Sequence, residues 1–112
     1  MAGEFKGTVL PAGDDQLQYT LREPLGVVAG ILPWNSPLML AGMKVLAALA
    51  AGNTMVLNSA EDAPLTDQRM AEIASDFVPP GVLNVVNGLG TVIGEALLVH
   101  PDVDKVSFTG ST

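Results

Sequence analysis

From Leu25 onward the sequence repeats one unit: a short β-branched apolar run, a turn, a helical stretch and a Gly or Pro break. The runs Val27 to Leu32, Thr54 to Leu57, Leu83 to Val86 and Lys105 to Phe108 read as strands. Between them, Leu38 to Ala51, Leu65 to Phe77 and Thr91 to Val99 carry helical spacing, and Gly52, Pro79-Pro80-Gly81 and Pro101 stop them. Two parallel strands cannot be joined by a tight turn, and a helical crossover is the usual solution. The alternation therefore predicts parallel strands linked by right-handed crossovers, a partial Rossmann-like doubly wound α/β sheet over residues 24–112.

The segment 1–23 reads differently. It is the most polar region, and Gly13-Asp14-Asp15 forms a turn between Val9-Leu10 and the alternating Leu17 to Leu21. Period-two alternation around a Gly-Asp turn predicts a short β arm or hairpin outside the core. The helices also differ. Leu38 to Ala51 is apolar on nearly all sides apart from Lys44, so it needs cover on two sides. The helix from Leu65 places Met70, Ile73, Ala74 and Phe77 on one stripe, with Asp67, Arg69, Glu72 and Asp76 elsewhere, and is expected to show solvent the acidic side.

Gly26 to Gly52 is nearly long and apolar enough to span a bilayer, but Pro33-Trp34-Asn35-Ser36-Pro37 breaks it at its centre. Two soluble elements joined by a tight connection fit better. With 112 residues the chain supports one core. Five Lys and Arg against twelve Asp and Glu give a net charge of -7, which repels nucleic-acid phosphates and anionic lipid. Neither nucleic acid nor membrane is an expected partner. The start, Met1 to Lys6, lacks the basic and apolar regions of a secretory signal, which leaves a cytoplasmic location as the expectation. The absence of cysteine excludes disulfides, thiolate metal sites and a thiol nucleophile within these residues, and no metal site is expected.

In open parallel sheets, ligands lie beyond the carboxyl ends of the strands, where helix N-termini present free N–H groups. Those ends here are Pro33-Trp34-Asn35, Asn58-Ser59-Ala60-Glu61, Asn87-Gly88-Leu89-Gly90 and Thr109-Gly110-Ser111-Thr112. Each is rich in small or polar residues where a nucleotide would lie. Taken singly the signals are weak: Trp34 suits a core edge, Asn35 and Asn58 suit turns, and Glu61 suits a helix entry.

In series they resemble the NAD(P)-dependent aldehyde dehydrogenases. The resemblance rests on Arg22-Glu23-Pro24-Leu25-Gly26-Val27-Val28, Pro33-Trp34-Asn35-Ser36-Pro37, Ala48-Leu49-Ala50-Ala51-Gly52-Asn53, Pro79 to Val86 and Val106 to Thr112, in order and at the family's spacing. It implies that Asn35 helps form an oxyanion hole, a task suited to a neutral donor. It further implies that Ile31, Leu32, Pro33 and Trp34 line the cofactor channel and that Glu61 accepts hydrogen bonds from the adenosine ribose. Gly90 would allow close approach on the adenine side. Gly110 and Ser111 would sit against the pyrophosphate, Phe108 would be a further cofactor-binding residue, and Lys44 would lie near the nicotinamide end.

The chain departs from the family at Asn58, where a lysine that touches the ribose is usual. This implies weaker binding and a preference for NAD over NADP, because Glu61 repels a 2′-phosphate. The family's catalytic Cys and general-base Glu lie beyond Thr112. The resemblance thus implies the cofactor-binding segment of an aldehyde-oxidising enzyme, inactive alone, that meets an aldehyde only in a full-length context. The uncovered apolar helix and open sheet edge imply a homo-oligomer.

Overall fold

The computed structural model describes residues 5–111; Met1 to Glu4 of the expected arm and the motif's last residue, Thr112, lie outside them. Two layers of helix enclose a four-stranded parallel sheet. In chain order the elements are a hairpin of β1 (Val9–Leu10) and β2 (Gln18–Tyr19), then β3 (Val27–Ile31), α1 (Pro37–Ala50), β4 (Thr54–Ser59), α2 (Pro64–Ala74), β5 (Leu83–Asn87), α3 (Gly90–Val99) and β6 (Lys105–Phe108). The sheet order is β5-β4-β3-β6, so the chain steps outward twice and then crosses back over both inner strands. Register is continuous: Ala29 lies between Val56 and Val106, and Leu57 between Gly30 and Val85.

That return places helices on both faces. Gly30 and Ile31 are successive strand residues and point to opposite sides. A Cβ on Gly30 would meet Leu57 at 2.8 Å and the Lys44 Cδ of α1 at 3.6 Å, whereas a Cβ on Gly94 of α3 would meet Ile31 Cδ1 at 3.5 Å. α1 therefore covers the Gly30 side and α3 the Ile31 side. The expected doubly wound sheet is present.

The core lies between α1 and the inner strands, where Val28, Ala41, Val45, Met55 and Leu57 are buried. Full burial of a side chain such as Leu57 contributes roughly 1.5–3 kcal/mol. α1 forms because its Leu, Met and Ala residues favour helix and Pro37 occupies its first turn. It ends in a Schellman motif: Gly52, at φ 81, donates to the Leu49 carbonyl (2.9 Å), and Asn53 donates to that of Ala48 (3.0 Å). Asn53 then turns its side chain back. Its Oδ1 accepts from the backbone N–H of Leu25 (2.6 Å) and Gly26 (3.0 Å), pinning the entry to β3 against the exit from α1.

Three differences from the sequence expectation stand out. β4 runs two residues past Leu57, to Ser59, and both added residues are buried. α2 stops at Ala74, not Phe77, because a turn must form before Pro79-Pro80; Phe77 is left 81% exposed and Ile73 half-exposed. Finally, the buried residue of α2 is Asp67, 1% exposed, which the sequence pattern had assigned to the solvent side. The arm is the hairpin expected, tied by the Thr20 N–H to the Thr8 carbonyl (2.9 Å), and every residue from Phe5 to Leu25 is exposed. It draws the molecule out to 59 × 31 × 24 Å.

Candidate site at the carboxyl edge of the sheet

All four parallel strands end on one edge, and β3 and β6 meet where the chain's connections part to opposite faces. Such a switch point leaves a crevice that no crossover fills. Leu32 continues the β3 ladder, donating to the Asn58 carbonyl (3.1 Å), and the Thr109 N–H donates to the Ile31 carbonyl (3.1 Å). Beyond these bonds the two chains separate.

Ile31 and Leu32 are buried and form the floor; Pro33 is half-buried. Trp34 is 66% exposed and Asn35 is exposed at the rim, so the Trp is not the core residue that base rates favour. Ser36 follows at φ 55, ψ 49, a left-handed conformation that costs a non-glycine residue on the order of 1 kcal/mol. It reverses the chain between Asn35 and the proline that starts α1.

Across the crevice, the Phe108 ring lies over Gly110, where a Cβ would come within 2.8 Å of it. A side chain at this position would have to push the largely exposed ring aside. Ser111 is exposed beside it.

At the β4–β5 end, Glu61 is exposed and its carboxylate accepts from the Gly90 N–H at 3.1 Å. Gly90 opens α3, so the acid occupies one of the free amides of that helix end, an arrangement favoured by the macrodipole. A Cβ on Gly90 would meet nothing within 4 Å, leaving open space at this corner. Asn58 is only 1% exposed, and its Oδ1 has no hydrogen-bond partner. It lies beneath this corner, not on its surface.

Lys44 reaches across the α1 side of the sheet to β6, where Nζ donates to the Ser107 carbonyl (3.0 Å) and hydroxyl (2.7 Å). Burial holds its ammonium below the ordinary lysine value. The structure therefore brings Trp34, Asn35, Glu61, Gly90, Phe108 and Gly110 to one edge, with Ile31 and Leu32 beneath. It places Lys44 on the α1 face and Asn58 in the interior.

Sequence reasoning passed over the positioning roles of Asn53, Ser107 and Asp104. Asp104 Oδ2 accepts from the Val27 N–H at 2.8 Å and starts the β3–β6 pairing. An Asp just before a strand reads as an ordinary turn residue, and no local signal marks a partner so distant in sequence. Among the described residues no group of three or more His, Cys, Asp and Glu could hold a metal ion, and no helix is long and apolar enough to cross a membrane.

The chain matches the model of the aldehyde dehydrogenase family over residues 1–112. It is 48% identical to a rat cytosolic aldehyde dehydrogenase over 112 residues, covering 99% of this chain and 22% of that enzyme. The crystal structure of PnpE from Pseudomonas sp. WBC-3 superimposes with a TM-score of 0.93 at 47% identity, over 98% of this chain and 23% of that one. PnpE in complex with nicotinamide adenine dinucleotide gives 0.94 at 47% identity, over 99% and 23%. A glyceraldehyde-3-phosphate dehydrogenase from Methanocaldococcus jannaschii complexed with NADP gives 0.92 at 39% identity, over 98% and 25%. The chain thus spans about a quarter or less of the length of these relatives.

Proposed function

Because this chain belongs to the aldehyde dehydrogenase family, we propose that it is the NAD-binding segment of an enzyme that oxidises aldehydes to carboxylic acids. The observation that carries the reading is the convergence of Trp34, Asn35, Glu61, Gly90 and Gly110 on one edge of a parallel sheet, at its switch point. The residues fit a dinucleotide. Glu61 offers a solvent-facing carboxylate to paired ribose hydroxyls, and the space at Gly90 leaves room beside it.

When bound, NAD supplies the hydride acceptor. The chain's own part is to hold it. Glu61 exchanges the Gly90 N–H for ribose hydroxyls and disfavours a 2′-phosphate by charge repulsion, which favours NAD over NADP. Ile31 and Leu32 exclude water from the floor, and the strained Ser36 turn aims the neutral Asn35 amide at developing negative charge without proton transfer. Aldehyde oxidation in this reading also needs a thiol nucleophile, and these residues include no cysteine. The 112 residues alone are expected to bind but not to turn over, in a cytosolic setting.

Trp34 is the sole tryptophan and stands at the rim, so its fluorescence reports on the site. NAD is expected to quench it. Glu61→Gln should weaken that binding by about 1–2 kcal/mol, the worth of charge-assisted hydrogen bonds, and narrow the gap between NAD and NADP. No aldehyde-dependent NADH should form. Unchanged fluorescence and no calorimetric heat with NAD at millimolar concentration defeats the binding reading; turnover that survives repurification defeats the inactive one.

Self-association belongs to the same proposal. Leu38, Met39, Met43 and Leu46 are each more than half exposed along the outer side of α1. An apolar strip of that kind favours burial against a second copy. Light scattering over a dilution series is expected to show mass falling toward that of the monomer; a monomer at every concentration refutes it.

A further inference from the structure

Asp67 is 1% exposed, and neither of its carboxyl oxygens has a hydrogen-bond partner. Facing it is the Ser59 hydroxyl, also fully buried and equally without a partner. Among the described residues no cation pairs with either group. β4 and β5 contain no ionisable residue, and the lone ionisable residue of α1, Lys44, is engaged with Ser107 on β6. On α2 itself Arg69 is bonded to Glu72 at 2.7 Å on the exposed side. The preceding loop adds two further acids, Glu61, bonded to the Gly90 N–H, and the exposed Asp62. Burial pushes the Asp67 carboxyl above its ordinary value, and the facing Ser59 hydroxyl offsets only part of that shift.

The two side chains flank one loop. Ser59 ends β4, Asp67 sits in the first turn of α2, and Glu61 lies between them. We propose that the Asp67–Ser59 pair is a proton-linked latch: the neutral carboxylic acid seats the first turn of α2 on the sheet, and its ionisation loosens that turn and the loop that carries Glu61. A neutral acid can donate to the Ser59 hydroxyl and leaves no bare charge in the interior, whereas a carboxylate there has nothing to neutralise it. The sign is opposite to that of a salt-bridged aspartate. The folded state binds the Asp67 proton more tightly than the unfolded state, so this group's contribution is fully present below the unfolded value and is lost as pH rises through the folded one. The link to cofactor capture rests on the proposed function; the latch does not.

Chemical denaturation of the full chain and of Asp67→Asn, from about pH 3 to pH 8, tests it across the carboxylate range. An amide keeps the shape of the neutral acid. The folded-to-unfolded ratio of Asp67→Asn relative to the parent is expected to climb several-fold with rising pH and then level off. A relative ratio that is flat, or that falls with pH, overturns the latch. Should Asp67→Asn fail to fold, NMR titration of the Asp67 carboxyl carbon in the unaltered chain decides: a midpoint above that of the exposed aspartates supports the proposal, and one at or below it overturns it. NAD titration at the two ends of the pH range then reads the Glu61 consequence separately.

Discussion

The inner strands and the N-terminal arm of this molecule are built on opposite terms. In β3 and β4 successive residues are buried on both faces, with Ala29, Met55 and Leu57 fully enclosed between α1 and α3. In the arm, Val9, Leu17, Tyr19 and Leu21 are each at least 59% exposed, although the pattern is as apolar at alternate positions as a half-buried strand requires. Strand-forming apolar residues thus make a strand in both places, but only cover from helices makes a core. The arm's two-residue strands bond to each other alone, and an isolated hairpin of that size is marginal in water.

Three substitutions sharpen the contrast. Leu57→Ala should be the most damaging, costing about 2–5 kcal/mol in denaturant unfolding, because the cavity is walled by α1, Met55 and Val85 and has little freedom to collapse. Asn53→Ala should follow at about 1–3 kcal/mol, since it strands the Leu25 and Gly26 amides and the junction between arm and core. It should also raise hydrogen exchange at those amides more than at Leu57. Tyr19→Ala should change stability by no more than about 0.5 kcal/mol, as for most exposed sites. A larger loss at Tyr19 than at Asn53 would mean that the arm is packed in solution and the comparison fails.

Much of this was readable because the periodic elements obey local rules. The Gly52 stop, the break from Pro33 to Pro37 and the strand–helix alternation each act within a few residues, and the fold class follows from them. The carboxyl-edge cluster was readable for the same reason, since topology alone brings strand ends together. Reading failed where packing overrode pattern. Asn58 and Ser59 look like loop residues, yet they complete β4 because Val86 and Asn87 on β5 pair alongside them. Asp67 holds the helical position three before Met70, so it enters the interior with Met70 whatever its charge. Lys44, the one charged residue of α1, carries no local sign of the Ser107 carbonyl and hydroxyl that β6 brings to it.

The bond from Asp104 to Val27 also sets an order of assembly. Leu25 and Asn53 must close a span of 28 residues, while Val27 and Asp104 must close one of 77. Chain statistics put the difference near 0.9 kcal/mol of loop-closure entropy, before any strand in between has formed. β3, α1 and β4 can therefore nucleate on short-range contacts, and β6 docks onto a sheet edge already in place. During synthesis the same order holds by necessity, because β6 follows β3, α1 and β4 along the chain. Until it arrives, one side of β3 carries unpaired amides and carbonyls, and the crevice between β3 and β6 does not yet exist. The nascent chain is consequently most exposed to strand-edge aggregation in the interval when α3 has emerged and Ser107 has not.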